Sequence, residues 1–182
     1  MGQLRAGDIK RLMRQYAACR GIIFDVRSYP NGTFHRPGDY LNAHAAGFAR
    51  YAKPDLSFSG GFTLGPVQYT GRDNPDYYKG KVAILCNSQT QSAAESTCAA
   101  LRTAPSAKII GSQSAGPNGD VSYVSFPGDY QTCFTGTGVY TVDGKPIQRR
   151  VVPIDIVVKP TCNDVLSGVD RALQTAIDWI NQ

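Results

Sequence analysis

Lys81-Val-Ala-Ile-Leu-Cys-Asn-Ser-Gln-Thr-Gln-Ser-Ala-Ala-Glu95 is the stretch on which the fold class turns. It opens with a short apolar run, Val82 to Cys86, which reads as a buried strand. From Ser92 to Thr103 the pattern becomes helical and rich in small residues, among them Ala93, Ala94, Ala99 and Ala100. Small side chains let a helix lie close against a sheet. Working outward, Gly21-Ile-Ile-Phe-Asp-Val-Arg27 reads as a second buried strand that emerges in charge, and Ala107 to Gly111 as a third. Asp8 to Cys19 carries apolar residues at helical spacing and stops at Gly21. Helix and strand alternate three times, which predicts an α/β layered fold.

The rest of the chain is less regular. Pro37 to Ala52 reads as an alanine-rich helix, and Lys53 to Asn74 as an irregular glycine-rich segment. Asp120 to Val142 holds β-prone runs separated by Pro127-Gly128-Asp129, Gly136, Gly138 and Asp143-Gly144, so a β meander is expected. Ile154 to Val158 is a last short strand. Val165 to Ile180 reads as a closing helix with Leu166, Val169, Leu173, Ile177 and Ile180 on one face. With 182 residues, no linker and no internal repeat, residues 1–182 are expected to form one domain.

Composition excludes several classes. Hydrophobic residues make up 42% and charged residues 18%, the balance of a folded globular chain. The net charge of +5 is dispersed, with Lys10, Arg11 and Arg14 on one helix face and the pair Arg149-Arg150, so no nucleic-acid stripe forms. No apolar run reaches the roughly 18 residues of a membrane span, and the first residues form no signal peptide. The five cysteines, Cys19, Cys86, Cys98, Cys133 and Cys162, contain no Cys-x-x-Cys pair, and most of them read as small buried hydrophobes. No cofactor motif is present. His35, Asp39 and His44 lack a further ligand at metal spacing, so surface and capping roles are expected for them.

Ser92 lies where a buried strand feeds a helix. Its hydroxyl would sit at the positive end of that helix beside free backbone N–H groups, a place that stabilises an alkoxide or an oxyanion. Ser92-Ala-Ala-Glu95 also fits a capping box, and both readings stand on spacing alone. A rival nucleophile is Ser114 in Ser112-Gln-Ser-Ala-Gly116. A nucleophile elbow must feed a helix, however, and here Pro117, Asn118 and Gly119 follow. No histidine occurs beyond His44, which excludes the α/β-hydrolase order of residues.

Five segments, in order, resemble one family. Gly21-Ile-Ile-Phe-Asp-Val-Arg-Ser-Tyr-Pro-Asn-Gly32 is similar to an apolar strand followed by Asp-x-Arg-x-Asn-x-Gly-Gly. Val82 to Glu95 is similar to a segment with Ser-Ala-Ser/Ala-Glu opening a helix, and Ala107 to Gly116 to the strand and turn that follow it. Tyr140 to Gln148 and Val152-Pro-Ile-Asp155 resemble a late hairpin and an "x-Pro-Asp-Ile" element. The family is that of the carboxyl-terminal processing, or tail-specific, serine peptidases, which includes the tricorn core protease. The resemblance implies a crotonase-like α/β spiral, incomplete at its amino-terminal end, and Ser92 as the nucleophile that forms an acyl-enzyme. It implies an oxyanion hole from the backbone N–H of Ala93 and one from the Asn31-Gly32 turn, and peptide or protein substrates. It implies a place in the cell envelope or outside the cell, as part of a longer precursor.

The departures are informative. Where tail-specific members carry a lysine base, this chain has Ala115-Gly-Pro-Asn-Gly-Asp-Val-Ser122, with Pro117 or Asn118 at the lysine's position. The resemblance is therefore closer to the tricorn-like branch, whose histidine base lies upstream of the segments matched here and whose acidic partner comes late. The late position falls near Ile147-Gln148-Arg149, where Gln148 is the candidate orienting group. His35 is a candidate substitute base. Asn31 replaces a glycine of the turn and tolerates the left-handed region, so the turn is expected to survive. The alternative implied by the same family is a catalytically inactive module that binds peptides or apolar ligands, as in the interphotoreceptor retinoid-binding protein.

Overall fold

The computed structural model describes residues 1–150 and 152–182. Four strands form a parallel sheet: β1 (Gly21–Asp25), β4 (Lys81–Cys86), β5 (Ala107–Gly111) and the short β9 (Ile156–Val157), side by side in that order. A strand at the centre of a parallel sheet is covered on both faces, and β4 shows why its sequence has no polar alternation. Val82, Ile84 and Cys86 pack with Ala94, Cys98 and Leu101 of helix α3 (Ala93–Leu101). Ala83 and Leu85 face the other way, against Ala176 and, at its margin, Ala172, Trp179 and Ile180 of helix α5 (Arg171–Asn181). The expected α/β class is what the chain adopts, with the sheet between two helical layers.

Close approach fixes two glycines. A Cβ at Gly21 would lie 2.6 Å from Ile180, so the absent side chain lets α5 settle on the start of β1. At Gly111 a Cβ would lie 2.0 Å from the Cys86 carbonyl oxygen, and φ is +137°. The obstacle at Gly111 is backbone, so nothing there can give way. Gly111→Ala is expected to destabilise the fold by about 2–3 kcal/mol, read as a lowered urea midpoint with an unchanged slope.

The charged residues of two quoted motifs are structural clamps. Arg27 donates to both carboxylate oxygens of Asp25 (2.9 and 2.6 Å) and to both of Asp170 (2.9 and 2.7 Å), tying the end of β1 to the N-cap of α5. The two carboxylates raise the Arg27 pKa further. Asp155 accepts from the Ile109 N–H at 2.8 Å and from Arg102 at 2.8 Å, joining β5 to the residue that ends α3.

Several expectations are corrected. The first helix is shorter than Asp8 to Cys19: a 3-10 turn at Ala6–Asp8 leads into α1 (Ile9–Gln15). Pro37 to Ala52 holds only one helical turn, α2 (Gly38–Leu41), and then strand β2 (Ala46–Pro54). The segment read as irregular contains β3 (Phe62–Thr70), antiparallel to β2 with two register shifts. The alanines mislead because β2 is the central strand of its sheet: Ala49 and Ala52 are buried, and a Cβ at Gly47 would meet Val67 at 2.7 Å. Small residues there serve close packing between strands, which overrides helical propensity. The meander is also divided. β6 (Val121–Phe126) and β7 (Tyr130–Thr135) form a separate hairpin, while β8 (Gly138–Tyr140) pairs with β2.

The closing helix is broken into α4 (Cys162–Leu166) and α5, with Gly168 left-handed at φ +68° and Asp170 capping α5 through the Leu173 N–H. The break re-aims the apolar stripe: Ala172, Ala176, Trp179 and Ile180 face the sheet. Leu166, placed on the buried face by periodicity, is 84% exposed, and Leu173 and Ile177 remain open to solvent. Among the described residues no helix is long and apolar enough to cross a membrane.

Candidate active site

Parallel pairing carries the ends of β1 and β4 to the same edge of the sheet. Thr90 fastens them there: its hydroxyl donates to the Val26 carbonyl at 3.1 Å and accepts from the Asn87 N–H at 3.1 Å. The chain then turns into α3 at Ser92, whose backbone stands at φ +52°, ψ −119°. An L-residue with a Cβ rarely adopts this conformation, and its cost is of order 1–3 kcal/mol. Ser92 and Glu95 stand in a capping-box arrangement, but only one half closes with a hydrogen bond, the Ser92 N–H donating to Glu95 Oε2 at 3.2 Å. The Ser92 hydroxyl is placed toward the Glu95 N–H but closes no cap hydrogen bond. A serine serving only as a cap would take extended dihedrals and accept from the helix with its oxygen. The Ala93 N–H, first in the helix, has no acceptor among the described residues.

Glu95 is the hub beneath this turn. It is buried, and besides the Ser92 N–H it accepts from Ser114 Oγ at 2.6 Å and from the Gly116 N–H at 3.0 Å, both on Oε1. Burial pushes its carboxyl above the usual range, while the three donors pull it back. The 114–119 loop is held from other sides too. Ala115 N–H donates to the Thr90 carbonyl (2.9 Å), Ser92 N–H to the Pro117 carbonyl (2.8 Å) and Arg149 N–H to the Gly116 carbonyl (3.0 Å). Ser114 is thus a buried strut that also accepts from the Val152 N–H at 3.2 Å. Spacing alone had offered Ser114 as a rival nucleophile, and its partner Glu95 as a cap.

Ser92 opens on a cleft of about 420 Å³ lined by Ala93, Ser96, Asn118, His35, Phe48 and Tyr51, among others. A second groove of about 460 Å³ continues along α3 past Glu95, Ser96 and Ala99 to Arg102, and shares Phe48, Ser96 and Asn118 with the cleft. His35 reaches the cleft but is stacked on Phe48, with ring centroids 6.0 Å apart, and makes no hydrogen bond to Ser92. His44 pairs with Asp73 at 2.9 Å on the surface. Gln148 is not on the cleft wall. Its amide donates to the Asn118 and Thr137 carbonyls (2.5 and 2.8 Å) and accepts from the Val139 N–H (3.3 Å), which uses both of its N–H groups. In the Asn31-Gly32 turn the left-handed positions are Gly32 (φ +65°) and Phe34 (φ +28°), not Asn31. The Gly32 N–H donates back to the Pro30 carbonyl at 3.1 Å.

Residues 1–158 match the family model described as Peptidase family S41. The chain belongs to peptidase family S41. Among solved structures, this S41 domain is similar to a candidate peptidase from Parabacteroides merdae (TM-score 0.84, 18% identity, 97% of this chain and 57% of that one). It is similar to mature CPAF complexed with lactacystin (TM-score 0.75, 15% identity, 99% and 48%). A third is the photosystem II D1 C-terminal processing protease (TM-score 0.58, 17% identity, 85% and 38%). At these identities the likeness is one of fold. The S41 domain spans about half the length of the first two of these structures. No curated protein matches it.

Proposed function

We propose that this S41 domain is a serine-type peptidase that hydrolyses peptide bonds through an acyl-enzyme on Ser92. The observation that carries the reading is Ser92 itself, held at a strained φ of +52° in a capping-box position where its hydroxyl closes no cap hydrogen bond, beside the open N–H of Ala93. Strain of this kind is kept where a side chain must be aimed. Ser92 Oγ attacks the peptide carbonyl carbon, the C–N bond breaks, and the serine proton passes to the leaving amine through a general base. Water then releases the acyl group. The base comes from outside residues 1–182: His35 is stacked on Phe48, and His44 sits on the surface with Asp73. Gln148, with its amide already engaged, belongs to the loop scaffold in this reading. Residues 1–182 act as one catalytic core, and the protein works in the cell envelope or outside the cell.

The lack of a base bonded to Ser92 favours, as a second reading, a binding module that has lost catalysis. The full-length protein treated with a fluorophosphonate probe separates the two. Covalent labelling that disappears in Ser92→Ala supports the peptidase. A wild type that stays unlabelled, while the same probe labels a control serine hydrolase, leaves the binding module.

A further inference from the structure

The oxyanion hole implied by family resemblance needs two donors. Ala93 supplies one, but the Gly32 N–H is turned back onto the Pro30 carbonyl. The cleft contains another candidate in Asn118, which stands in the segment where lysine-based relatives carry their base. Asn118 is 5% exposed and lines both the Ser92 cleft and the adjoining groove. One terminal atom of its side chain lies 2.9 Å from the Gly119 N–H. A backbone N–H can only donate, so that atom is Oδ1 and the amide has one permitted orientation. Ser96 Oγ donates to the same oxygen at 3.2 Å and is approached by the Tyr51 hydroxyl at 3.5 Å. The NH2 group is thereby left on the other side. It has no acceptor among the described residues, and it is not an orphan sealed in the interior.

Placement follows from the cleft, whose wall Ser92, Ala93, Ser96 and Asn118 share. The amide held by Ser96 thus borders the same cleft as Ser92, and the Pro117 carbonyl, one residue before Asn118, accepts from the Ser92 N–H at 2.8 Å. The Asn118 carbonyl is fixed as well, by Gln148. A donor locked in rotamer and flip costs no reorganisation when charge develops, which is what an oxyanion site requires.

We propose that Asn118 Nδ2 donates the second hydrogen bond to the oxyanion formed when Ser92 attacks, beside the N–H of Ala93. The proposal rests on the serine-peptidase reading of Ser92. Its test is the rate of fluorophosphonate labelling in the full-length protein, where Ser92 Oγ forms the O–P bond, fluoride leaves, the serine proton goes to the base and the phosphonyl oxygen takes the oxyanion's place. The decisive variant is Asn118→Asp. It is isosteric and keeps both acceptor contacts, to Gly119 and Ser96, but puts a charged oxygen where the NH2 group stood, so Asn118→Ala, which removes the donor without adding charge, is read beside it. The labelling rate constant at saturating probe is expected to fall about 100-fold, with little change in the half-saturating concentration. Asn118→Ala is expected to fall at least as far. The proposal is overturned if Asn118→Asp labels within about threefold of wild type, or if Asn118→Asp falls while Asn118→Ala does not, since the added charge alone then accounts for the loss. If the wild type does not label at all, the serine-peptidase reading itself fails and takes this role with it. The two failures are thus distinct.

Discussion

Replacing Ser92 is expected to remove activity and to leave the fold as stable or more so. Ser92→Ala takes away a hydroxyl that makes no cap hydrogen bond, so little native stability depends on it. The activity of the full-length protein should fall to background, a loss on the order of a million-fold for a triad-type serine, together with all fluorophosphonate labelling. Ser92→Gly carries the argument further. Glycine accepts φ +52° without a Cβ penalty, so this variant should be equally inactive yet more stable by about 1 kcal/mol. Urea unfolding of the two variants beside wild type measures it. A capping serine predicts the opposite sign, a loss of about 1 kcal/mol for Ser92→Ala and a few tenths for Ser92→Gly, with nothing gained in return. A Ser92→Gly variant less stable than wild type would therefore remove the strain argument, and labelling that persists in Ser92→Ala would remove the nucleophile.

The layered core was legible because burial on both faces leaves an unmistakable trace: Val82 to Cys86 has no polar break, and the small residues of α3 announce a helix lying close to a sheet. The β2–β3 sheet was not legible. Its central strand uses Gly47, Ala49 and Ala52, residues whose propensity says helix and whose value lies in tertiary contacts with Val67 and the neighbouring strand. The same blindness to three-dimensional context affected the site. Asp25, Arg27 and Asp155 belong to motifs that point to the family, yet their side chains clamp α5 and α3 to the sheet. Ser114 looked like a faulty nucleophile elbow and is a strut for Glu95. Asn118 registered only as the absence of a lysine. A one-dimensional pattern shows which residue has gone, and only the flip imposed by Gly119 and Ser96 shows what the new one can donate.

Glu95 is where stability and activity should separate. Three groups donate to its carboxylate, the Ser92 and Gly116 N–H groups and the Ser114 hydroxyl, so the site is built for the ionised form. Burial nevertheless raises its affinity for a proton. A carboxyl whose folded pKa is raised contributes stability that is present below its unfolded pKa, near the ordinary Glu value of about 4.3, and is lost as pH rises through the folded value. Acid therefore costs this group no stability. It does put an O–H, or a rotated carboxyl, against three donors that all need an acceptor, and the strained Ser92 turn loses one of its ties. Glu95→Gln imitates that protonated state at every pH. It should keep a denaturation midpoint close to wild type, label at least about tenfold more slowly at neutral pH, and lose from its pH–labelling profile the acid limb that Glu95 contributes. Glu95→Ala is harsher, because the Ser114 hydroxyl and the Gly116 N–H are left buried without their acceptor, each costing about 1–3 kcal/mol, and a cavity adds to the loss. Destabilisation of about 3–5 kcal/mol is expected in urea. The Ser92 N–H still has the Pro117 carbonyl in that variant. A Glu95→Gln protein with wild-type labelling and an unchanged acid limb would show that the carboxylate braces the loop without governing how Ser92 is presented.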